Sequence, residues 1–107
     1  MNSEQFIKFR QMIESEFSKA CIKHPKFCDK MTTYTLAGSR SAESMFKHYN
    51  SSAPYYADEL LKEELFEALT AYKEGDKAHC IQELAQCGAV ILRMMDFVQN
   101  EIDNKEA

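Results

Sequence analysis

The sequence predicts an all-α protein with a single domain over residues 1–107. Only three glycines and two prolines interrupt the chain, and no long stretch alternates between apolar and polar residues as a half-buried strand does. Apolar side chains instead recur at helical spacing over most of the sequence. The chain has 107 residues, of which 45% are apolar, so it is large enough to bury a core and too apolar for wholesale disorder.

The first helix is predicted to begin at Asn2 or Ser3, which are favourable N-cap residues, and to end before Pro25. Its apolar stripe consists of Phe6, Phe9, Ile13, Phe17 and Ala20 or Cys21. A stripe with this spacing is typical of a helix face that packs in a core or in a subunit interface.

Residues 25–53 are predicted to form a long connection that contains one short helix. The first part, HPKFCDKMTTYTLAGS, has no clear periodicity, and the short helix is expected in SRSAESMFKHYN. Long connections in small domains are frequently functional because loops that cover a site come from such segments.

Two further helices are predicted to form an antiparallel hairpin. The second helix begins around residues 52–54, with a serine cap and a proline in its first turn, and runs to about Glu74. Gly75 is a favoured residue just past a helix end, and Asp76 is a good cap for a third helix that continues to about Asn100. The Gly-Asp pair is therefore the turn of the hairpin, and the segment after Asn100 is expected to fray.

Charge and composition argue against several classes of protein. The net charge is −4, so the chain lacks the basic surface that nucleic-acid binding requires. No apolar run approaches the length of a membrane span. The N-terminal MNSEQFIKFR lacks the layout of a signal peptide, which predicts a cytoplasmic protein with reduced cysteines. One arrangement, Cys21-x-x-His24-x-x-x-Cys28, has metal-ligating residue types but matches no standard zinc spacing.

Four polar side chains lie at matched distances from the predicted turn. Glu67 and Glu83 are each roughly 10–12 Å from it at about 1.5 Å per residue, and Glu64 and Gln86 are one helical turn further away. In an antiparallel hairpin Glu67 should therefore face Glu83, and Glu64 should face Gln86. A helical wheel places these side chains at the edge of the apolar faces, where the two helices meet.

Three carboxylates in such a position repel one another, and partial burial raises their pKa values unless a positive charge lies between them. Mg²⁺ or Mn²⁺ would resolve the repulsion, because hard cations prefer carboxylate oxygens as ligands. The alternative interpretation is a plain helical hairpin whose glutamates are ordinary surface residues paired with Lys or Arg.

The segments EELFE (63–67) and ELAQ (83–86), separated by a short turn, resemble the E-E-x-x-E … E-x-x-D signature of MazG-like nucleoside triphosphate pyrophosphohydrolases. This family belongs to the all-α NTP pyrophosphatase superfamily, and the resemblance covers roughly residues 58–98. It implies a helical bundle around the αα-hairpin, completed by assembly into a homodimer or homotetramer. It also implies hydrolysis of an NTP or dNTP to the monophosphate and pyrophosphate.

Carried over by position, the resemblance implies that Glu64, Glu67 and Glu83 bind Mg²⁺ or Mn²⁺. Gln86 occupies the fourth metal-ligand position, and Glu63 and Glu64 serve the catalytic step, with Glu63 orienting a group or accepting a proton. The departure from the family is Gln86, where the signature has Asp. An amide brings no charge and cannot act as a base. The alternative function is therefore a non-catalytic scaffold or a nucleotide-sensing module descended from the same fold.

Overall fold

The computed structural model describes residues 1–106 and confirms the all-α prediction. Its four helices are α1 (Ser3–Lys23), α2 (Leu36–Tyr49), α3 (Ala57–Lys73) and α4 (Lys77–Glu106), and no strand occurs in residues 1–106. In this part of the chain, no helix has both the length and the apolar character that crossing a membrane requires.

The ends of α1 agree with the prediction. Asn2 is the N-cap, and its side-chain Oδ1 accepts a 2.8 Å hydrogen bond from the Gln5 backbone N–H. The helix ends at Lys23, with His24 as the C-cap immediately before Pro25. Both ends are set by local chemistry, because a cap satisfies an otherwise unpaired backbone N–H and a proline disfavours the helical conformation of the residue before it.

The helix α2 is longer than predicted and α3 begins later. The irregular segment ends at Thr35, whose Oγ1 caps α2 by accepting a 3.0 Å hydrogen bond from the Gly38 N–H. The predicted start of α3 at residues 52–54 is wrong, because the helix begins at Ala57 and its N-cap, Tyr56, makes no side-chain cap hydrogen bond. Ser52, two residues before Pro54, is therefore not the cap of this helix.

The chain folds into two compact units. The hairpin unit comprises Thr32–Ile91 and therefore contains α2, α3 and the first half of α4. The terminal unit comprises Met1–Met31 and the chain from Leu92 onward. All residues of the candidate site lie in the hairpin unit.

Aromatic packing joins α2 to α3 in the hairpin unit. The rings of Phe46 and Phe66 are stacked with their centroids 5.8 Å apart, and the ring of Tyr34 meets Phe66 edge-on at 4.9 Å. Such pairs contribute about 0.5–1.5 kcal/mol beyond the burial of their area. Because Phe46 and Phe66 belong to different helices, their contact determines which residues of α2 lie beside α3.

Small side chains line the contact between α3 and α4. Ala68 and Ala71 are almost completely buried and cluster with Cys80, and Tyr72 and Leu84 pack against them. The helical wheel predicts an apolar face of α3 that consists of Leu61, Leu65, Ala68, Leu69 and Tyr72. This prediction is only partly right, because Leu65 is exposed while the buried residues are Phe66, Ala68, Leu69, Thr70 and Ala71. The buried surface is wider than one stripe because α3 packs against α2 as well as against α4.

The predicted Gly-Asp turn is confirmed. Gly75 has φ +86°, a conformation that favours glycine, and its N–H donates to the Tyr72 carbonyl at 3.1 Å while the Asp76 N–H donates to the Ala71 carbonyl at 3.0 Å. The Asp76 carboxylate then caps α4 by accepting from the His79 N–H at 3.1 Å. The paired bonds close α3 as helix C-termini with a left-handed glycine commonly do.

We expect Gly75→Ala to lower the free energy of unfolding by about 1 kcal/mol, because alanine is strained at this φ although a Cβ would meet no atom within 4 Å. The control is Gly88→Ala, where the backbone is helical and a Cβ again meets nothing within 4 Å. There alanine should leave stability unchanged or raise it by up to about 1 kcal/mol. Urea unfolding of both variants measures the difference, and equal effects would contradict the assignment of strain to Gly75.

The helix α4 continues through Glu106 rather than ending near Asn100, so the expected fraying of residues 101–106 is wrong, whereas Ala107 lies outside the described residues. A 2.9 Å hydrogen bond from the Gln99 amide to the Asp103 carboxylate spans this last stretch. Pairs four residues apart in a helix stabilise it by a few tenths of a kcal/mol.

The terminal unit buries little of the apolar stripe of α1. Phe9 is 3% exposed, and the N-terminal ammonium lies 3.8 Å from the Asp96 carboxylate of α4. Elsewhere on α1, Phe17 is 68% exposed. A shallow groove on this unit is lined by Met12, Ile13, Glu16, Phe17 and Met95. The stripe is therefore not the core face of a finished monomeric unit.

Candidate metal site between the helices of the hairpin

Three glutamates of α3 present their carboxylates together. One oxygen each from Glu63, Glu64 and Glu67 lies within 4.8 Å of the other two. Residues three and four apart share a helix face, which brings Glu63 and Glu64 beside Glu67. Among the side chains of residues 1–105 this is the one group of three or more His, Cys, Asp or Glu with ligand atoms so close, and Cys21, His24 and Cys28 form no such group.

Two residues of α4 complete the arrangement from the opposite side. The carboxyl group of Glu83 lies close enough to that of Glu67 to raise its pKa. The Gln86 amide, oriented with its nitrogen toward the carboxylates, donates to Glu64 Oε2 at 2.6 Å and to Glu83 Oε2 at 3.3 Å. The facing pairs predicted from distances to the turn, Glu67 with Glu83 and Glu64 with Gln86, are those the structure brings together. We call these five residues the acidic cluster.

The acidic cluster is partly withdrawn from water. Glu83 is 7% exposed, and the Glu67 side chain is 20% exposed. Glu63 and Glu64 are half-buried, while Gln86 is exposed at the rim. Glutamate is rarely buried unless it is paired, so this position is not that of ordinary surface glutamates.

Crowding and burial shift the protonation of the cluster. Burial, followed by the hydrogen bond to Glu83 and by the negative charges of its neighbours, raises the pKa of Glu67 to about 8. The ammonium of Lys47 opposes this rise without cancelling it. Burial also raises the pKa of Glu64, and the charges of Glu83 and Glu63 add to the effect. Without a cation, Glu64 and Glu67 therefore hold their protons to higher pH than an ordinary glutamate does.

The cysteine next to the cluster is not a thiolate. Burial, and then the charges of Glu64 and Glu83, raise the pKa of Cys87 above its ordinary value. A protonated thiol is a weak nucleophile and a poor metal ligand. Cys87 therefore contributes packing.

The helix α2 supplies side chains to the cluster that are far away in sequence. Lys47 Nζ lies 3.8 Å from Glu67 Oε1 and 3.9 Å from Glu43 Oε1. Asn50 Nδ2 donates to Glu63 Oε1 at 3.0 Å and to the Glu59 carbonyl at 3.1 Å. Asn50 thus holds the Glu63 carboxylate against α3, and Lys47 lies beside Glu67 and Glu43.

A histidine of α4 contacts the most buried glutamate. His79 Nε2 lies 2.9 Å from Glu83 Oε1, and the His79 side chain is 49% exposed. The two residues are four apart in α4, so their contact follows from helix geometry. His79 links the buried carboxylate to solvent and orients it.

The sequence alone did not predict that Glu43, Lys47, Asn50 and His79 lie beside the cluster. The spacing of His79 and Glu83 was a usable signal, because residues four apart share a helix face. No comparable signal existed for Asn50 or Lys47, since only the packing of α2 on α3 brings them to the glutamates.

The donor set fits a hard divalent cation. Carboxylate and amide oxygens are the ligands that Mg²⁺ and Mn²⁺ take, at about 2.0–2.2 Å. Two ligands on opposite sides of such an ion are then about 4.3 Å apart, so the oxygens of Glu63, Glu64 and Glu67, which lie within 4.8 Å of one another, need only small side-chain rotations to meet one. The metal ligands predicted from the sequence differ from this group in having Glu83 in place of Glu63. Glu64, Glu67 and Glu83 would hold the ion, and the carbonyl oxygen of Gln86 is available after rotation of its amide.

Comparisons with known proteins identify no family for this chain. The chain matches no protein-family model, and no curated protein or solved structure shows significant similarity to it.

Proposed function

We propose that this protein is a metal-dependent hydrolase that converts a nucleoside triphosphate, NTP or dNTP, to the monophosphate and pyrophosphate. The observation that carries the proposal is the acidic cluster, in which three carboxylates of α3 lie within 4.8 Å of one another and a buried carboxylate of α4 lies beside them. Two features support the reaction class: the resemblance of EELFE … ELAQ to the MazG-like signature, and the all-α hairpin that presents these residues.

Bound Mg²⁺ or Mn²⁺ would neutralise phosphate charge and supply an activated water at neutral pH. The residues of the chain prepare the site for this role. Glu64, Glu67 and Glu83 hold the charge that attracts the ion. In the metal-free site, Gln86 donates its amide N–H to these carboxylates. With a metal bound, rotation of the amide would present its carbonyl oxygen to the ion.

The role proposed for Glu63 is to orient or accept a proton next to the ligands. Asn50 fixes its carboxylate with a 3.0 Å hydrogen bond, which leaves the second oxygen free to receive a hydrogen bond from water. A positioned carboxylate of this kind typically contributes 10²–10⁴-fold to a proton transfer.

A homodimer or homotetramer is part of the proposal. The terminal unit exposes several large apolar side chains of α1 and α4, among them Ile13, Phe17, Phe97, Val98 and Ile102. Exposed apolar side chains in this number favour an interaction surface, and a second copy of the chain would cover them by forming a four-helix core. Light scattering of the purified chain measures the number of copies.

One observation favours a second candidate, a non-catalytic scaffold or nucleotide-sensing module. The Gln86 amide donates two hydrogen bonds into the cluster and thereby compensates the carboxylates without any ion. In a chain that no longer binds a metal, Gln86 in place of the Asp of the MazG-like signature would stabilise the fold.

Release of pyrophosphate from a panel of NTPs and dNTPs, with Mg²⁺ or Mn²⁺ and with chelator, tests the proposal. We expect metal-dependent release accompanied by an equal amount of monophosphate from at least one nucleotide. Release of orthophosphate instead would contradict the proposed reaction. Absence of release from every nucleotide, with metal bound, would favour the scaffold.

We expect Gln86→Asp to tighten Mn²⁺ binding by about 10-fold, because it adds a charged ligand where the amide stands. In the absence of metal the same change should lower the free energy of unfolding by about 1–2 kcal/mol, since it removes two donated hydrogen bonds and adds a negative charge. Titration calorimetry and urea unfolding measure the two effects.

The matched control is Gln82→Asp, an exposed position one turn earlier on α4. It adds the same charge to the same helix and should change Mn²⁺ affinity by less than about 3-fold. An equal gain in both variants would show that Gln86 is not a ligand position.

A further inference from the structure

We propose that Lys47 binds the polyphosphate chain of the substrate, reaching the acidic cluster from α2 rather than from the hairpin that carries the carboxylates. This inference rests on the proposed function. The MazG-like signature, which residues 63–67 and 83–86 resemble, assigns no role to Lys47. It concerns the substrate's phosphates, whatever the base or sugar.

The first step is the geometry of the ammonium. Lys47 Nζ is 3.8 Å from Glu67 Oε1 and 3.9 Å from Glu43 Oε1, and its side chain is 53% exposed. Charge-assisted N–H···O bonds are about 2.7–2.9 Å long, so neither contact is a close ion pair. The ammonium therefore lies at the open edge of the cluster with N–H donors available to a ligand.

The second step is the fixed position of α2. Phe46, the residue before Lys47, stacks on Phe66 of α3 with 5.8 Å between ring centroids, and Phe66 directly precedes Glu67. The same aromatic contact therefore sets both the backbone of Lys47 and that of Glu67. A lysine anchored in this way contributes positive charge at a defined place without being held in a rigid bond.

The third step is the balance of charge. Five carboxylates lie at or beside the site, those of the cluster and Glu43, whereas Lys47 is the lysine within 4.0 Å of Glu67. A triphosphate is strongly anionic and would be repelled by the carboxylates that a divalent ion leaves uncompensated. When an ion takes over the charge of Glu67, the ammonium loses its partner and can pair with a phosphate oxygen, for which lysine is well suited as a point charge.

A matched control lysine exists on α3. Lys62 is 52% exposed, lies 3.9 Å from the Asp58 carboxylate and, like Lys47, is close to Phe46, with Nζ 5.7 Å from the ring centroid. It has the same charge, exposure and ion-pair distance, but its carboxylate partner is not part of the cluster.

The experiment compares Lys47→Ala, Lys47→Arg and Lys62→Ala in two binding measurements and one kinetic measurement. Calorimetry gives the affinity for Mn²⁺ alone, and then the affinity of the Mn²⁺-loaded protein for inorganic tripolyphosphate. Lys47→Ala should leave Mn²⁺ binding unchanged or tighter and weaken tripolyphosphate binding at least 10-fold. Lys47→Arg should retain tripolyphosphate affinity within about 3-fold, and Lys62→Ala should match the unsubstituted chain. In turnover, Lys47→Ala should raise KM about 10-fold with kcat within about 3-fold.

Three results would overturn the inference. Unchanged tripolyphosphate affinity in Lys47→Ala, with Mn²⁺ bound, would show that the ammonium does not contact phosphate. Equal weakening in Lys62→Ala would indicate a general effect of surface charge. Loss of Mn²⁺ binding together with tripolyphosphate binding in Lys47→Ala would indicate a structural role. Failure of the unsubstituted chain to bind Mn²⁺ would be distinct from these, because it removes the proposed metal site and the Lys47 inference with it.

Discussion

Replacing Glu64 with glutamine is expected to lower metal-dependent pyrophosphate release at least 100-fold. Glu64 lies within 4.8 Å of two further carboxylates on α3 and meets the Gln86 amide at 2.6 Å, so it stands at the centre of the proposed ligand set. A neutral amide cannot balance the charge of a divalent ion. Loss of one charged ligand should therefore weaken metal binding and misplace whatever metal remains.

The same change should not unfold the protein. Burial and neighbouring carboxylates raise the pKa of Glu64, which means that its charged form is unfavourable in the metal-free fold. Glutamine imitates the neutral form, so the metal-free melting temperature should be unchanged or higher. Loss of activity without loss of stability is expected when a functional side chain occupies a position where its charged form destabilises the fold.

The control for Glu64→Gln is Asp58→Asn, which removes an exposed carboxylate from the same helix. Asp58 pairs only loosely with Lys62, at 3.9 Å, and its side chain is 66% exposed. Turnover in Asp58→Asn should remain within about 2-fold. If Glu64→Gln retained full turnover while Mn²⁺ still raised its melting temperature as in the unsubstituted chain, the assignment of Glu64 to the metal site would be wrong.

The second large effect is a loss of stability in the metal-free protein as pH rises from about 4.5 to 8. The pKa of Glu67 is raised from 4.5 in the unfolded chain to about 8 in the fold. Between these values the folded state binds more protons than the unfolded state, so the free energy of unfolding falls with rising pH. The stabilisation is fully present below pH 4.5 and is lost as pH passes through 8.

The interval between 4.5 and about 8 sets an upper bound of ~5 kcal/mol for this effect, at ~1.4 kcal/mol for each pH unit. Because the Glu67 side chain is 20% exposed, water screens part of the repulsion, and we expect ~2 kcal/mol. Urea unfolding at pH 5 and pH 8 without metal measures it. Glu67→Gln should reduce the difference between the two pH values, because its side chain carries no proton to lose, and Glu64, whose pKa is also raised, accounts for the difference that remains.

Saturating Mn²⁺ provides an independent check on the same residue. The ion should stabilise the folded protein more at pH 8 than at pH 5, because it competes with protons for the carboxylates. Glu16→Gln, at a side chain that is 74% exposed on α1, should keep the pH dependence of the unsubstituted chain. A pH dependence of unchanged size in Glu67→Gln would assign the proton uptake to another group.

Local signals in the sequence were sufficient for most helix ends. Asn2 as a cap, Pro25 as a breaker and the Gly75-Asp76 turn each act through backbone geometry within a few residues, and all three operate as predicted. The wrong start of α3 also came from a local signal, since a serine cap followed by Pro54 is typical of a helix start, but the helix begins at Ala57 instead.

The facing of Glu67 with Glu83 and of Glu64 with Gln86 could also be predicted from the sequence. Once the turn is known, the rise per residue places residues of the two helices opposite one another. The helical wheel for α3 was less accurate, because it assumed one buried face. Phe66 and Thr70 are buried in addition, since α2 covers a second side of the helix.

The sequence by itself thus determined an all-α chain and a hairpin that pairs carboxylates across two helices, because helical spacing and a short turn are local properties. Only the tertiary structure decided that Glu83 is buried and that Asn50 and Lys47 reach the cluster. Their approach depends on the stacking of Phe46 on Phe66, a contact between helices that no local spacing encodes. The hairpin alone brings the carboxylates together, whereas the Lys47 ammonium and the Asn50 amide reach them only because α2 packs on α3.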